Sequence, residues 1–304
     1  MPPDSYVRDG LIWQRRNVLV CGGVALLATS FGAQAAQAPS ARIAALEKQL
    51  RGRIGVAALD TNSAATISWR GGERFAMCST FKWFLAAAML AGCERRRFAL
   101  NQKLPFAAGD LRLPHSPVSA THIGEGGMRI AALCEAAVEI SDNLAANTLF
   151  RAIGGPPALT AWLRHIGDFT TRLDRYEPAL NENLPGDPRD TTTPEAMLAT
   201  MRRLLLGAVL APQSRSLLIG WMRNCKTGLE RLRAGLPPAW IVADKTGTGT
   251  GSGPTSAVND LAIAWPPHRA PILITSYVSG SPASEARQIV AHAEIARIVS
   301  AAFA

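Results

Sequence analysis

Trp240-Ile-Val-Ala243, Val258-Asn-Asp-Leu-Ala-Ile-Ala-Trp265 and Pro271-Ile-Leu-Ile-Thr-Ser-Tyr-Val278 are three short apolar runs within one stretch, residues 240–278. Their length suits strands rather than helices, and a Gly-rich segment and Pro266-Pro267 separate them. Downstream, residues 284–303 carry Ile289, Val290, Ala293 and Ile298 as an apolar stripe and close the chain as a helix. The other end has the same texture. Ser40 is placed to cap a helix through Ile43, Leu46 and Leu50. Residues 54–59 and 65–69 then read as strands flanking a turn at Asp60-Thr61-Asn62, ahead of Gly71-Gly72.

Between these ends, residues 79–216 are helical in pattern. Residues 79–93 are strongly apolar and predict a buried helix; 128–140, 143–153, 158–166 and 193–206 are further helices, the last opened by Thr193-Pro194. A polar loop, residues 168–192, interrupts them, and a loop of that length in a compact protein is functional or disordered. Strands at both ends around a helical middle predict an α/β (α+β) chain. Residues 36–72 and 217–304 would form an α/β domain, and residues 73–216, including the 170–192 loop, an inserted all-α domain.

Composition narrows the function classes. The chain has 304 residues, 48% of them hydrophobic, which suffices for a buried core and is too mixed for a polytopic membrane protein. His115, His122, His165, His268 and His292 do not cluster and no Cys pair has C-x-x-C spacing, so neither a metal site nor a cofactor is expected. The net charge of +9 comes mostly from arginines scattered among acids, with no basic run and no interleaved aromatics. That pattern reads as a solvated basic surface and not as a nucleic-acid face.

Arg15-Arg16, the apolar run 18–31 and Ala33-Gln34-Ala35 have the order of a cleavable export signal, residues 1–35. The paired arginines resemble a twin-arginine signal, with ordinary secretion the alternative. A periplasmic protein with no stable membrane anchor is expected. Cys78, Cys93, Cys134 and Cys225 would remain after cleavage, and spacing alone assigns no bridge among them.

Four short patterns carry chemistry. Ser79-Thr80-Phe81-Lys82 puts a hydroxyl and an amine at i and i+3, on one face of a helix start, where they can exchange a proton. Ser141-Asp142-Asn143 opens a later helix and by itself is also a good cap. Lys-Thr-Gly occurs twice. Lys226-Thr227-Gly228 reads as a helix C-terminus stopped by glycine, whereas Lys245-Thr246-Gly247 ends the strand begun at Trp240, where a backbone edge can meet a substrate. Glu177 and Asn181, in the polar loop, are spaced to hold a water between them, with Glu177 as general base. Arg175 and Asp190 are placed to clasp that loop as an ion pair.

Each pattern alone has a bland explanation; their joint occurrence in this order does not. With Cys78-Ser-Thr-Phe-Lys-Trp83, Thr171-Arg-Leu-Asp-Arg-Tyr-Glu-Pro178 and Arg189-Asp-Thr-Thr192, the chain resembles the class A serine β-lactamases from about residue 40 to its end. The resemblance implies a five-stranded antiparallel sheet flanked by helices, with the active site between it and the helical part. It also implies that a monomer acts on small β-lactams. Ser79 would form an acyl-enzyme, with its backbone N–H and that of Thr248 as the oxyanion hole. Lys82 would shuttle protons, Ser141 would protonate the leaving nitrogen, and Glu177 with Asn181 would activate the deacylating water. Asn143 would hold the substrate's side-chain amide, and Lys245, Thr246, Thr248 and Arg231 its carboxylate. The Glu177–Pro178 bond would be cis.

Three features depart from the family pattern. His115 stands at a rim position where Tyr or Trp is usual. The segment 249–258 is longer than the usual turn, and Gly249 stands where some carbapenem-hydrolysing members have a Cys bridged to the position of Cys78. Two other readings share part of the pattern: a penicillin-binding D,D-peptidase, which lacks the Glu-x-x-x-Asn loop, and a β-lactam-binding sensor domain, which would keep its acyl group.

Overall fold

A computed structural model describes residues 38–304, so the export signal and Cys21 lie outside the described residues. The chain enters through α1 (Pro39–Leu50). Pro39 occupies the first turn and no side chain caps it, so Ser40 lies inside the helix and is not its cap. Strands β1 (Arg53–Asp60) and β2 (Thr66–Trp69) follow, joined by a turn in which Asp60 accepts hydrogen bonds from Asn62 N and Ser63 Oγ. A short strand, β3 (Phe75–Ala76), leads to a 3₁₀ turn, Cys78–Phe81, and then to α2 (Lys82–Glu94). This helix is apolar all round and buried from Lys82 to Gly92, the arrangement expected of a helix running through a core.

The helical region continues with β4 (Lys103–Pro105), β5 (Gly127–Arg129), α3 (Ile130–Glu139), α4 (Asn143–Ile153) and α5 (Pro156–His165). After the polar loop come β6 (Thr191–Thr192), which pairs with β3, and α6 (Pro194–Met201), capped by Thr193. Helix α6 runs into a π-helical turn, Arg202–Leu206, then α7 (Pro212–Arg223) and the short α8 (Leu232–Gly235). Three strands and a helix end the chain: β7 (Ile241–Thr248), β8 (Ala257–Trp265), β9 (Ile272–Ser279) and α9 (Glu285–Ala302).

The five long strands form one antiparallel sheet in the order β2-β1-β9-β8-β7, assembled from both ends of the described chain. Its two faces follow from the two-residue repeat of a strand. Leu261, Ile263, Leu273 and Tyr277 join the apolar cluster of α2 to α4. Ala262, Ala264, Ile272, Ile274 and Val278 join a second cluster with Ile43, Ile295 and Val299 of the terminal helices. Covered on both sides, β8 and β9 carry no outward polar face, which is why they read as continuous apolar runs. A one-residue slip would exchange the two faces, so burial fixes the register. Strand β7 is left as an edge, and its outer side borders the cleft that holds the motif residues.

Candidate active site

The Ser79 hydroxyl stands at the junction of the 3₁₀ turn and α2. Cys78, just before it, has φ of 47°, a left-handed conformation that a non-glycine residue adopts at a cost. The turn is held against the sheet edge by Asn259, whose Nδ2 donates to the carbonyls of Ala76 at 2.9 Å and Met77 at 3.1 Å. Only glycine fits at position 247. A β carbon there would lie 2.5 Å from the Met77 carbonyl oxygen and 3.1 Å from the Ser79 nitrogen, so the missing side chain lets β7 back directly onto the turn that carries Ser79.

Lys82 is fully buried one turn further on. Its Nζ is 2.8 Å from Ser79 Oγ, 2.9 Å from Glu177 Oε1, 2.6 Å from Asn143 Oδ1 and 2.7 Å from the Ser141 carbonyl. Burial pushes this amine below the usual lysine range, against the pull of Glu177 beside it. Ser79 Oγ also donates to Glu177 Oε1 at 3.3 Å, so hydroxyl, amine and carboxylate converge.

Ser141 is presented by a left-handed residue of its own (φ 63°) just ahead of α4. The cap of that helix is Asp142, whose carboxylate accepts from Ala145 N at 2.9 Å and from Ser119 N at 2.9 Å, tying the helix start to the preceding loop. Asn143 turns its amide between Lys82 and the Pro114 carbonyl, 2.8 Å away. His115 lines the cleft with Nε2 2.9 Å from the Ile140 carbonyl.

Glu177 is held from both sides. Asn147, one turn beyond Asn143 on α4, accepts from the Glu177 backbone N–H and donates to its carbonyl, each at 3.0 Å. Asn181 donates to Glu177 Oε2, and its own Oδ1 is buried without a partner among the described residues. The Glu177–Pro178 peptide is cis, as the family resemblance implies. The expected clasp is present: Arg175 Nε donates to Asp190 Oδ2 at 2.6 Å, and Asp190 also accepts from the backbone N–H groups of Asp174 and Arg175.

On the far wall, Lys245 is fully buried on β7, with Nζ 3.1 Å from Ser141 Oγ and 2.8 Å from the Thr246 carbonyl. Burial and the nearby Lys82 push it down to about 8. Arg231, just before α8, spans the strand end. It donates to the carbonyls of Gly247 at 3.0 Å and Asn259 at 2.6 Å, and to Thr248 Oγ1 at 2.8 Å. The cleft so formed measures about 350 Å³ and includes Ser79, Ser141, Asn143, Asn181, Arg231, Thr246 and Thr248 in its lining. A larger hollow of about 870 Å³ between β1, α6 and the π-helical turn contains none of the motif residues.

The geometry corrects one sequence reading and adds residues that motif reading missed. Lys226-Thr227-Gly228 is no helix end: α7 stops at Arg223, and the tripeptide turns back so that Thr227 lines the cleft. Asn147 also went unread, although its spacing of four from Asn143 places both on one helical face.

The described residues 38–303 match the model of the Beta-lactamase enzyme family. The chain is 46% identical to Beta-lactamase L2 of Stenotrophomonas maltophilia, an alignment covering 90% of this chain and 91% of that protein. The chain belongs to the class A serine β-lactamases. It is 45% identical to the carbapenem-hydrolyzing beta-lactamase KPC of Klebsiella oxytoca, over 77% of this chain and 78% of that one. Among solved structures, an ancestral class A β-lactamase superposes with a TM-score of 0.84 at 52% identity, covering 87% of this chain and 100% of the other. A β-lactamase from Xanthomonas campestris superposes with a TM-score of 0.83 at 46% identity, covering 88% and 97%. The chain is accordingly a hydrolase that opens β-lactams, with the mixed α/β fold of the family. Its four cysteines in the described residues are all free, and Cys78 is buried, its thiol pushed up to about 12 by desolvation.

Proposed function

We propose that Ser79 attacks the lactam carbonyl of penicillins, cephalosporins or both and carries the acyl group, and that a water activated by Glu177 releases it. The observation that carries this reading is the meeting of Ser79 Oγ, Lys82 Nζ and Glu177 Oε1 within 3.3 Å of one another. Attack forms the Oγ–carbon bond, and the hydroxyl proton passes to Lys82 or, through a water, to Glu177. The oxyanion lies between the Ser79 and Thr248 backbone N–H groups. Ser141, within reach of both lysines, returns a proton to the ring nitrogen as the carbon–nitrogen bond breaks. In the second step, Glu177 takes a proton from a water that Asn181 helps to position, and the ester is cleaved.

Asn143 meets the substrate's side-chain amide; Lys245, Thr246, Thr248 and Arg231 meet its carboxylate. The helical segment 73–216 acts as an inserted all-α domain between the two α/β segments, 36–72 and 217–304. The chain is exported to the periplasm as a monomer, its signal removed after Ala35. No helix among the described residues is long and apolar enough to cross a membrane.

The test is Glu177→Ala. Mixed with a penicillin, this variant should gain the mass of the drug on the peptide bearing Ser79, and steady-state turnover should fall by about a thousandfold, as expected when a general base is lost on top of water positioning. Unaltered turnover would remove Glu177 from the mechanism. N-terminal sequencing of secreted protein and sedimentation of the mature chain test the export and monomer readings.

A further inference from the structure

The turn Cys225–Gly228 lies outside the reaction just described, yet it is built against the wall that receives the substrate carboxylate. Its backbone is tied down by Lys226 N, which donates to the Glu139 carbonyl at 2.9 Å. Gly228 packs so closely on β7 that a β carbon would stand 1.7 Å from Asp244 Oδ2. Held there, Thr227 Oγ1 lies 2.5 Å from Thr246 Oγ1, and Cys225 Sγ lies 3.3 Å from Thr227 Oγ1. Cys225 is buried, so its thiol exchanges no hydrogen bond with bulk water.

We propose that Thr227, backed by the Cys225 thiol, is a positioning residue that orients the Thr246 hydroxyl to donate toward the substrate's carboxylate. The inference rests on the reading that Thr246 meets that carboxylate. Proton counting carries the rest. A hydroxyl has a single proton, and a carboxylate only accepts. If Thr246 donates to substrate, the 2.5 Å contact must be filled by the Thr227 proton. Thr227 has then spent its only proton, and the contact at its oxygen is open to the S–H of Cys225, for which the Asp244 carboxylate is the rival acceptor. The chain therefore runs one way, from thiol to Thr227 to Thr246 to ligand. Without it, Thr246 is free to donate to Thr227 and to present a lone pair to an anion.

The experiment measures kcat and KM for a penicillin in Thr246→Val, Thr227→Val, Thr227→Ser, Cys225→Ala and Cys225→Ser, and in the double variant Thr227→Val/Thr246→Val. Misdirecting the Thr246 hydroxyl, on the scale of one ordinary hydrogen bond, predicts a KM raised about three- to tenfold in Thr227→Val with kcat held within about twofold. Thr227→Ser should restore KM, and the double variant should be no worse than Thr246→Val alone, because the effect passes through Thr246. Cys225→Ala should raise KM by about twofold and Cys225→Ser should not, since serine keeps a donor; this pair decides the question if Thr227→Val fails to fold. A raised KM in Thr246→Val with wild-type KM in both Thr227→Val and Cys225→Ala would overturn the proposal and leave the carboxylate reading standing. Wild-type KM in Thr246→Val would remove that reading, and the proposal with it. Equal losses in Thr227→Val and Thr227→Ser would make the residue structural.

Discussion

At the scale of single residues, the cleft depends on two lysines that the fold drives out of water. Among the described residues Lys245 makes no salt bridge, and burial brings it down to about 8. The sign of the consequence is fixed by which form binds. Below about 8 the group is an ammonium that, in the proposed role, attracts the substrate anion; above it the charge is gone. For the free enzyme, kcat/KM should therefore fall as pH rises through about 8, with KM carrying the change. In Lys245→Arg that basic limb should disappear up to at least pH 10, because a guanidinium stays charged. A limb that stays near pH 8 in Lys245→Arg would assign it to another group. These residues were legible because the motifs restrict residue type and spacing at once, as in Ser79-x-x-Lys82 and Lys245-Thr246-Gly247. Asn147 was not, since one asparagine on a helix has no distinguishing neighbour. Thr227 was hidden differently. Its tripeptide copies Lys245-Thr246-Gly247, and one sequence cannot say that the copy folds against the original.

At the scale of elements, the loop that carries Glu177 has no regular ladder of its own beyond β6 and one 3₁₀ turn, Ala179–Asn181. Its shape comes from Asp190, a fully buried carboxylate filled by two backbone N–H groups and Arg175. Asp190→Ala removes three acceptor contacts and leaves Arg175 with only the exposed Glu182. Stability should drop by about 3 kcal/mol, or roughly 6–12 °C in the thermal midpoint. Deacylation should slow more than acylation, since Glu177 lies two residues from the clasp. Asp187→Ala, which breaks an ion pair with the exposed Arg189 on the same loop, should cost no more than about 1 kcal/mol. Comparable losses from the two substitutions would show that the clasp does not organise the loop. The long strands and helices were legible from periodicity, and residues 143–153 coincide with α4. Pairs as short as β3 with β6 were not, because two residues have no period. Nor was the π-helical turn after α6, whose sequence Arg-Arg-Leu-Leu-Leu reads as ordinary helix.

At the scale of the whole molecule, His292 joins the terminal helix to the middle of the sheet. Its Nε2 faces the Val258 carbonyl at 3.0 Å, so that nitrogen carries the proton and Nδ1 accepts from Ser276 Oγ at 2.7 Å. Burial, with Arg231 nearby, holds the imidazole neutral down to about 3. The unfolded chain takes up a proton near the ordinary histidine value while the folded chain refuses it. Stability is thus lost as pH falls from about 6.5 toward 3. Urea midpoints compared between pH 7 and pH 4 should differ less in His292→Gln than in the parent. An identical pH dependence in both would show that carboxylates alone govern acid unfolding. The architecture was legible as a whole because strands at both chain ends have only one economical way to share a sheet. Which face each strand turns to which helix was not, since both faces of β8 and β9 are apolar.

The pairing of β1 with β9 also sets an order in time. Arg53 has Ser279 as its partner, so the second-oldest element of the described chain waits for nearly the youngest. While the polypeptide is being made, Ser79 and Lys82 emerge early, but the β7 wall opposite them is among the last parts to leave the ribosome. A product terminated before residue 241 would be a helical fragment with only the β1–β2 pair of its five-stranded sheet, unable to open an antibiotic however long it persisted. Activity is therefore acquired late and all at once.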